Sequence, residues 1–151
     1  MTTDRVLVAV FASPVSDVLL RWGAELGYRA VLLDPDPARG AGATGVGEAA
    51  VRWEDTDVVV TDHHRPELGA VLRDVLARPA RWVGVMGNPR HEGPHVAALT
   101  QLGVPAADIA RVHRPIGLDI GSKAPAEIAL SVLAGLLADR NGRSGGFAHG
   151  G

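Results

Sequence analysis

The chain has 151 residues, the size of one domain at roughly 150 residues per domain. Its 15 Lys and Arg against 17 Asp and Glu leave a formal net charge of -2, which excludes the footprint of a nonspecific nucleic-acid binder. With 46% hydrophobic and 21% charged residues, wholesale disorder is excluded and one sizeable core is affordable, while 4% aromatic content leaves few stacking platforms for single-stranded nucleic acid.

The opening Met1-Thr-Thr-Asp-Arg5 lacks the basic region and cleavage site of a signal peptide. No apolar run approaches the ~18 residues of a spanning helix. A cytoplasmic protein away from membranes is expected. Arg5-Val-Leu-Val-Ala-Val-Phe11 is a continuous apolar run of strand length, suited to a sheet covered on both faces. Val15, Val18, Leu19, Trp22 and Leu26 form a helical stripe over Pro14 to Leu26, with Gly27 as its stop. Arg29 to Leu33 reads as a second strand ending at Asp34. Pro35 to Ala50, rich in Pro, Gly and Ala, reads as a loop. Asp57 to Thr61 is a third strand. Leu68, Val71, Leu72, Val75 and Leu76 mark a helix over Pro66 to Arg78. Arg81 to Met86 is a fourth strand, and Pro94 to Leu102 a short helix stopped by Gly103. Pro105 to Ala110 adds a turn, Arg111 to Ile116 a fifth strand, and Pro125 to Asp139 the last helix. That helix is apolar on most sides, so it is deeply buried or part of a subunit interface. Asn141 to Gly151 reads as a disordered Gly-rich tail.

Strands alternating with helices predict an α/β fold over residues 1–140: a three-layer, Rossmann-like, doubly wound parallel sheet of about five strands. Ligands in such sheets sit beyond the carboxyl ends of the strands. That rule nominates Phe11 to Ser16, Asp34, Thr61 to His64 and Gly87 to Arg90.

The first of these turns, Phe11-Ala-Ser-Pro-Val-Ser16, holds none of the glycines that let backbone approach a pyrophosphate. Ser13 suits a helix cap with Pro14 at the first helical position. Gly45-Val-Gly47-Glu-Ala-Ala50 matches a dinucleotide fingerprint by letter but follows a loop, so it reads as a flexible connection. His91-Glu-Gly-Pro-His95 matches a zinc-protease pattern. Pro94 forces a helix start between the two imidazoles, so they diverge and zinc is not expected. With Cys at 0, thiolate metal sites, thiol nucleophiles and disulfides are excluded on this chain.

Thr61-Asp-His-His64 offers ligand-binding or proton-transfer groups, or alternatively a cap for the following helix. Asp34-Pro-Asp36 is placed for ribose hydroxyls, or for a plain turn. Gly87-Asn-Pro-Arg90 suits an anion through glycine, an amide side chain and positive charge, or alternatively a plain turn with a surface Arg. Pro115-Ile-Gly-Leu-Asp-Ile-Gly121 is the most informative stretch. Gly117 and Gly121 suit positive φ or close approach, and Asp119 sits between apolar neighbours. Pro125 and Glu127 fit the first turn of the last helix, whereas Ala124 at its cap has no side-chain acceptor.

Arg81-Trp-Val-Gly-Val-Met-Gly87, Leu102-Gly-Val-Pro105, Val112-His-Arg-Pro-Ile-Gly-Leu-Asp-Ile-Gly121 and Ala124-Pro-Ala-Glu-Ile-Ala-Leu-Ser-Val-Leu-Ala134 together resemble the C-terminal Rossmann domain of the XdhC/CoxI family. The element order resembles it over nearly the whole chain, and most specifically over 81–134. The resemblance implies a maturation factor for molybdenum hydroxylases of the xanthine dehydrogenase or carbon monoxide dehydrogenase type. Such factors bind molybdenum cofactor, assist its sulfuration by a desulfurase and help insert it into the apoenzyme. They act as chaperones more than as catalysts. Family members usually carry a cysteine-containing N-terminal domain, expected to be absent here. The first turn, usually G-A-G-H-V, is Phe11-Ala-Ser-Pro-Val15; T-H-D-H is Thr61-Asp-His-His64; G-S-R-R is Gly87-Asn-Pro-Arg90.

Motif and strand-end chemistry together nominate Ser13, Asp34, Thr61, His64, Gly87, Asn88, Arg90, Gly117, Asp119 and Gly121 as binding residues for molybdenum cofactor. No catalytic or metal residue is nominated. The expected partners are a molybdenum hydroxylase apoenzyme, a desulfurase or another maturation factor, with a homodimer as a further possibility. A protein-interaction module without small ligand is the alternative. An NAD(P)-dependent oxidoreductase is a third, supported by fold analogy alone.

Overall fold

The computed structural model describes residues 4–36, 38–39, 45–87 and 93–147. Five strands form one sheet: β1 (Val6–Val10), β2 (Arg29–Leu33), β3 (Thr56–Val60), β4 (Trp82–Val85) and β5 (Val112–His113). All pairings are parallel and the spatial order is β2-β1-β3-β4-β5. The chain reverses its direction of travel across the sheet between β1 and β3. Among the described residues five α-helices cover the faces: α1 (Pro14–Glu25), α2 (Leu68–Leu76), α3 (Pro94–Gln101), α4 (Ala106–Ile109) and α5 (Pro125–Arg140).

The two-residue side-chain period of a strand divides the core. Val6, Val8 and Val10 of β1, with Val58 and Val60 of β3, face Leu68, Leu72 and Val75 of α2 and Leu99 of α3. Leu7 and Val59 face the other way, onto Val18 and Leu19 of α1 and Val132, Leu133 and Leu136 of α5. Every residue of β1 and β3 is buried, which accounts for their unbroken apolar runs. The three-layer, doubly wound α/β architecture is therefore as expected. α5 buries one face against α1 and the sheet, and leaves Leu130 53% exposed on the other.

Local chemistry sets the helix ends. Ser13 is the N-cap of α1 and forms a capping box with Ser16, with Pro14 opening the helix. Gly27 follows in the left-handed region with φ of 88°. Ala124 caps α5 without a side-chain bond, and its own N–H donates to Ser122 Oγ at 3.1 Å.

Three expectations need correction. α2 starts at Leu68, not Pro66, because Arg65 to Glu67 form a turn in which Leu68 N–H donates to the Arg65 carbonyl. β5 is two residues, not six: Pro115 has no amide to extend the ladder. Val46–Glu48 is a 3-10 turn, not a slack connection, because Val46 is buried against the α2 side of the core. After α5 the chain turns back: Arg143 N–H donates to the Ala138 carbonyl at 2.8 Å and Gly145 packs against Leu118.

At the amino end of the sheet a fully buried carboxylate, Asp57, ties four elements together. It accepts from Arg81 Nε at 2.5 Å, Arg140 Nε at 2.9 Å and Tyr28 Oη at 3.3 Å. Burial and the Asp57 charge together push the Tyr28 hydroxyl above its ordinary range. Burial disfavours the Arg81 charge, but its bonds to Asp57 and Asp139 outweigh that and raise its pKa.

Candidate functional site

The carboxyl ends of β1 and β3 meet where the strand order reverses, the usual ligand position in this architecture. Here the chain's own groups fill that point. Thr61 Oγ1 lies 3.0 Å from both the Val10 and Phe11 carbonyls, and it accepts the Ser13 hydroxyl at 2.9 Å. Beside them Asp34, 3% exposed, accepts the Ala12 N–H at 2.9 Å and a two-pronged contact from Arg65 at 2.8 and 3.0 Å. Arg65 lies over the Phe11 ring, 4.4 Å from its centroid, and is steadied by Glu67 at 2.8 Å. Burial alone raises the Asp34 pKa. The hydrogen bonds from Arg65, Ala12 and Asp36 overcome it and hold the carboxyl down at about 2. An amide that faces an incoming anion in a dinucleotide fold is thus given to an internal carboxylate.

The open space lies one strand further on, beyond β3 and β4. A cavity of about 990 Å³ is bounded by Thr61 to His64, Met86, Gly87, the 115–123 segment and the start of α5. The Pro-Ile-Gly-Leu-Asp-Ile-Gly segment forms one whole wall. Two of its glycines hold left-handed backbone: Gly117 at φ of 88° and Gly121 at 68°. Gly117 also lies so close to α5 that a Cβ there meets Ser131 Oγ at 2.5 Å. Gly87 also lines the cavity. The Arg114 guanidinium is seated on it, and a Cβ at Gly87 meets that group at 2.3 Å. A bulky strand end is thereby traded for a positive charge next to the cavity. Lys123 adds a positive charge to the lining, and Asp62 and Asp119 add two negative ones.

The two histidines differ. The His64 N–H donates to Asp62 Oδ1 at 2.9 Å, an Asx turn, and its ring is exposed. His63 is half-buried, with Nδ1 3.0 Å from the Met86 carbonyl, and the two rings lie 4.0 Å apart at 44°.

Of the nominated residues, the structure brings Thr61, His64, Gly87, Gly117, Asp119 and Gly121 together around the cavity. It does not bring Ser13 or Asp34 there. Ser13 is occupied in the cap of α1 and by Thr61, and Asp34 by Arg65. Asn88 and Arg90 lie outside the described residues, as do His91 and Glu92 of the zinc-like pattern. His95, its last member, is buried at the start of α3. Among the described residues no group of three or more His, Asp or Glu is placed to hold a metal ion. No helix among them is long and apolar enough to cross a membrane.

Sequence reasoning missed Arg65, Arg114 and Lys123, and within the nominated Thr61 to His64 run it chose His64 over His63. Arg65 reads as a surface cation in sequence, and only the fold sets it beside Asp34. Arg114 had a signal: a cation directly before Pro-Ile-Gly, with glycines at 87 and 93 able to receive its side chain.

A parallel sheet with a glycine-walled hollow at its carboxyl rim is the frame of a Rossmann-like binding domain. The chain belongs to the XdhC Rossmann domain family, which matches residues 7–136. It is 37% identical over 97 residues to the uncharacterized protein YqeB of Escherichia coli K12, covering 64% of this chain and 17% of that one. It also resembles the crystal structure of a Bacillus halodurans protein described as a xanthine dehydrogenase. There the TM-score is 0.71 at 21% identity, over 97% of this chain and 45% of the other, a likeness of fold. This chain spans less than half of either protein.

Proposed function

We propose that this domain holds molybdenum cofactor in the cavity beyond β3 and β4, and so assists its sulfuration or its insertion into a molybdenum hydroxylase of the xanthine dehydrogenase or carbon monoxide dehydrogenase type. The observation that carries this reading is the family's own Pro-Ile-Gly-Leu-Asp-Ile-Gly segment forming the cavity wall. The lining suits a phosphorylated heterocycle. Gly117 and Gly121 expose backbone, Lys123 offers a cation for phosphate, and the histidines offer ring nitrogens. With no cysteine on this chain, the sulfur must be handled by a desulfurase partner. The chain's task on this reading is to shelter and present the cofactor to its partners, a desulfurase and an apoenzyme, in the cytoplasm. A dinucleotide is disfavoured, because the carboxylate placed for a ribose is committed to Arg65.

Calorimetry with cofactor released from a molybdoenzyme tests the proposal. Heat at micromolar protein is the expected result. No heat, with an intact family member binding in parallel, overturns it. NAD or NADP is expected to leave the melting temperature unmoved, whereas a ligand at a hundred times its Kd adds about 2.7 kcal/mol.

One observation favours a second reading, a module that works through protein contacts alone. Ile120 is 48% exposed and Phe147 97% exposed, and both line a smaller hollow beside the cavity. If that reading holds, Ile120→Asp abolishes capture of a purified molybdenum hydroxylase apoenzyme while the cofactor gives no heat with either protein.

A further inference from the structure

The hydrogen bond between His63 and Met86 fixes more than a ring position. A carbonyl oxygen only accepts, so the proton of this 3.0 Å contact belongs to His63 Nδ1. In the neutral imidazole the other nitrogen, Nε2, then carries a bare lone pair. The two ring nitrogens point in diverging directions, so Nε2 faces away from Met86. It has no protein partner among the described residues, and it is not among their sealed, unpartnered polar atoms. His63 lines the cavity. Among the other cavity groups the Lys123 ammonium donates, the Ser122 hydroxyl accepts the Ala124 N–H and keeps its own proton to give, and the Thr61 hydroxyl is committed to the Val10 and Phe11 carbonyls and to Ser13. The carboxylates of the lining are Asp62, which already accepts the His64 N–H, and Asp119, which is exposed.

We propose that His63 is the inward hydrogen-bond acceptor of this site, and that the ligand seats a ring N–H or amino donor on Nε2. This rests on the reading of the cavity as a cofactor site and narrows it. Lys123 and the glycine wall receive the anionic end, and His63 receives the donor edge of the heterocycle. A pterin has such an edge, and inorganic phosphate does not.

Long-range proton–nitrogen NMR on protein labelled at histidine reads the tautomer without ligand. In the neutral ring the expected tautomer carries the proton on Nδ1, its signals identified by their loss in His63→Asn. A proton on Nε2 overturns the proposal. Free pterin and inorganic phosphate are then titrated separately. Pterin is expected to move the His63 Nε2 resonance, and phosphate to leave it in place. An Nε2 resonance unmoved by pterin overturns the proposal.

Released molybdenum cofactor completes the test by calorimetry. His63→Asn keeps a donor for the Met86 carbonyl but removes the acceptor, and is expected to bind about tenfold more weakly. His63→Gln, whose amide oxygen reaches the Nε2 position, is expected to recover part of that loss. Equal binding by wild type and His63→Asn overturns the proposal and leaves the cofactor site standing. No binding by wild type, with pterin still moving Nε2, overturns the cofactor reading and leaves the acceptor standing.

Discussion

Phe11 holds φ at 72°, in the left-handed region that favours glycine, at the turn where family members usually carry one. An L side chain there costs about 1–2 kcal/mol. Phe11 offsets this with a fully buried ring that carries the Arg65 guanidinium on its face. Phe11→Gly removes the strain but also the ring, and losing a buried Phe side chain costs about 3–5 kcal/mol. Urea unfolding is expected to find Phe11→Gly less stable by about 3 kcal/mol; equal or greater stability refutes this balance. Asp34 beside it couples stability to acid. Its carboxyl titrates at about 2 in the fold against an ordinary 3.8. A lowered carboxyl stabilises the fold above the unfolded value, and that contribution fades as pH falls from about 4 towards 2. It amounts to about 2 kcal/mol. Unfolding at stepped pH is expected to show wild type losing about that much more than Asp34→Asn between pH 5 and 2. Parallel losses in the two proteins count against it.

Two glycines, Gly84 within β4 and Gly87 just after it, answer differently to an added methyl group. At Gly84 a Cβ meets the Trp82 ring at 2.2 Å and Ile116 at 2.7 Å, while Trp82 stacks on His113 at 5.0 Å. Nothing there yields cheaply, so Gly84→Ala is expected to cost about 1–3 kcal/mol or more. At Gly87 the obstacle is the flexible end of Arg114. Gly87→Ala is expected to keep its thermal midpoint while displacing the guanidinium beside the cavity and weakening cofactor binding. Thermal melts of both variants check the contrast, and a large drop for Gly87→Ala contradicts it. The elements also show what the sequence discloses. The apolar runs of β1, β3 and β4 and the stripe of α2 announce themselves, because burial on two faces or one leaves a period in the chain. So do Gly117 and Gly121, whose motif says that backbone matters. Arg65 on Asp34 and His63 on the Met86 carbonyl leave no such trace. Each joins residues more than 20 positions apart, and only the strand order places them in reach.

Across the whole molecule the sheet separates holding together from holding a ligand. Its amino end is locked by Asp57 among Arg81, Arg140 and Tyr28, binding β3, the start of β4, the end of α5 and the entry to β2. Its carboxyl end keeps the glycines, the exposed lysine and the cavity. Asp57 and Thr61 stand four residues apart on one extended path, about 13 Å at 3.3 Å per residue. Sites that far apart, with no shared partner, combine additively to within about 0.5 kcal/mol. Asp57→Ala leaves two guanidinium groups facing a vacated carboxylate position, a loss of about 3–5 kcal/mol for a broken buried pair. Lys123→Ala removes an exposed charge and is expected to change stability by no more than about 0.5 kcal/mol. Denaturant unfolding and calorimetry with released cofactor on both variants therefore form a crossed test. Asp57→Ala is expected to lose stability while its folded fraction binds as wild type, and Lys123→Ala to keep stability while binding weakens. A folded Asp57→Ala with impaired binding means that the two ends of the sheet are coupled, and that the cavity depends on the ion network beneath it.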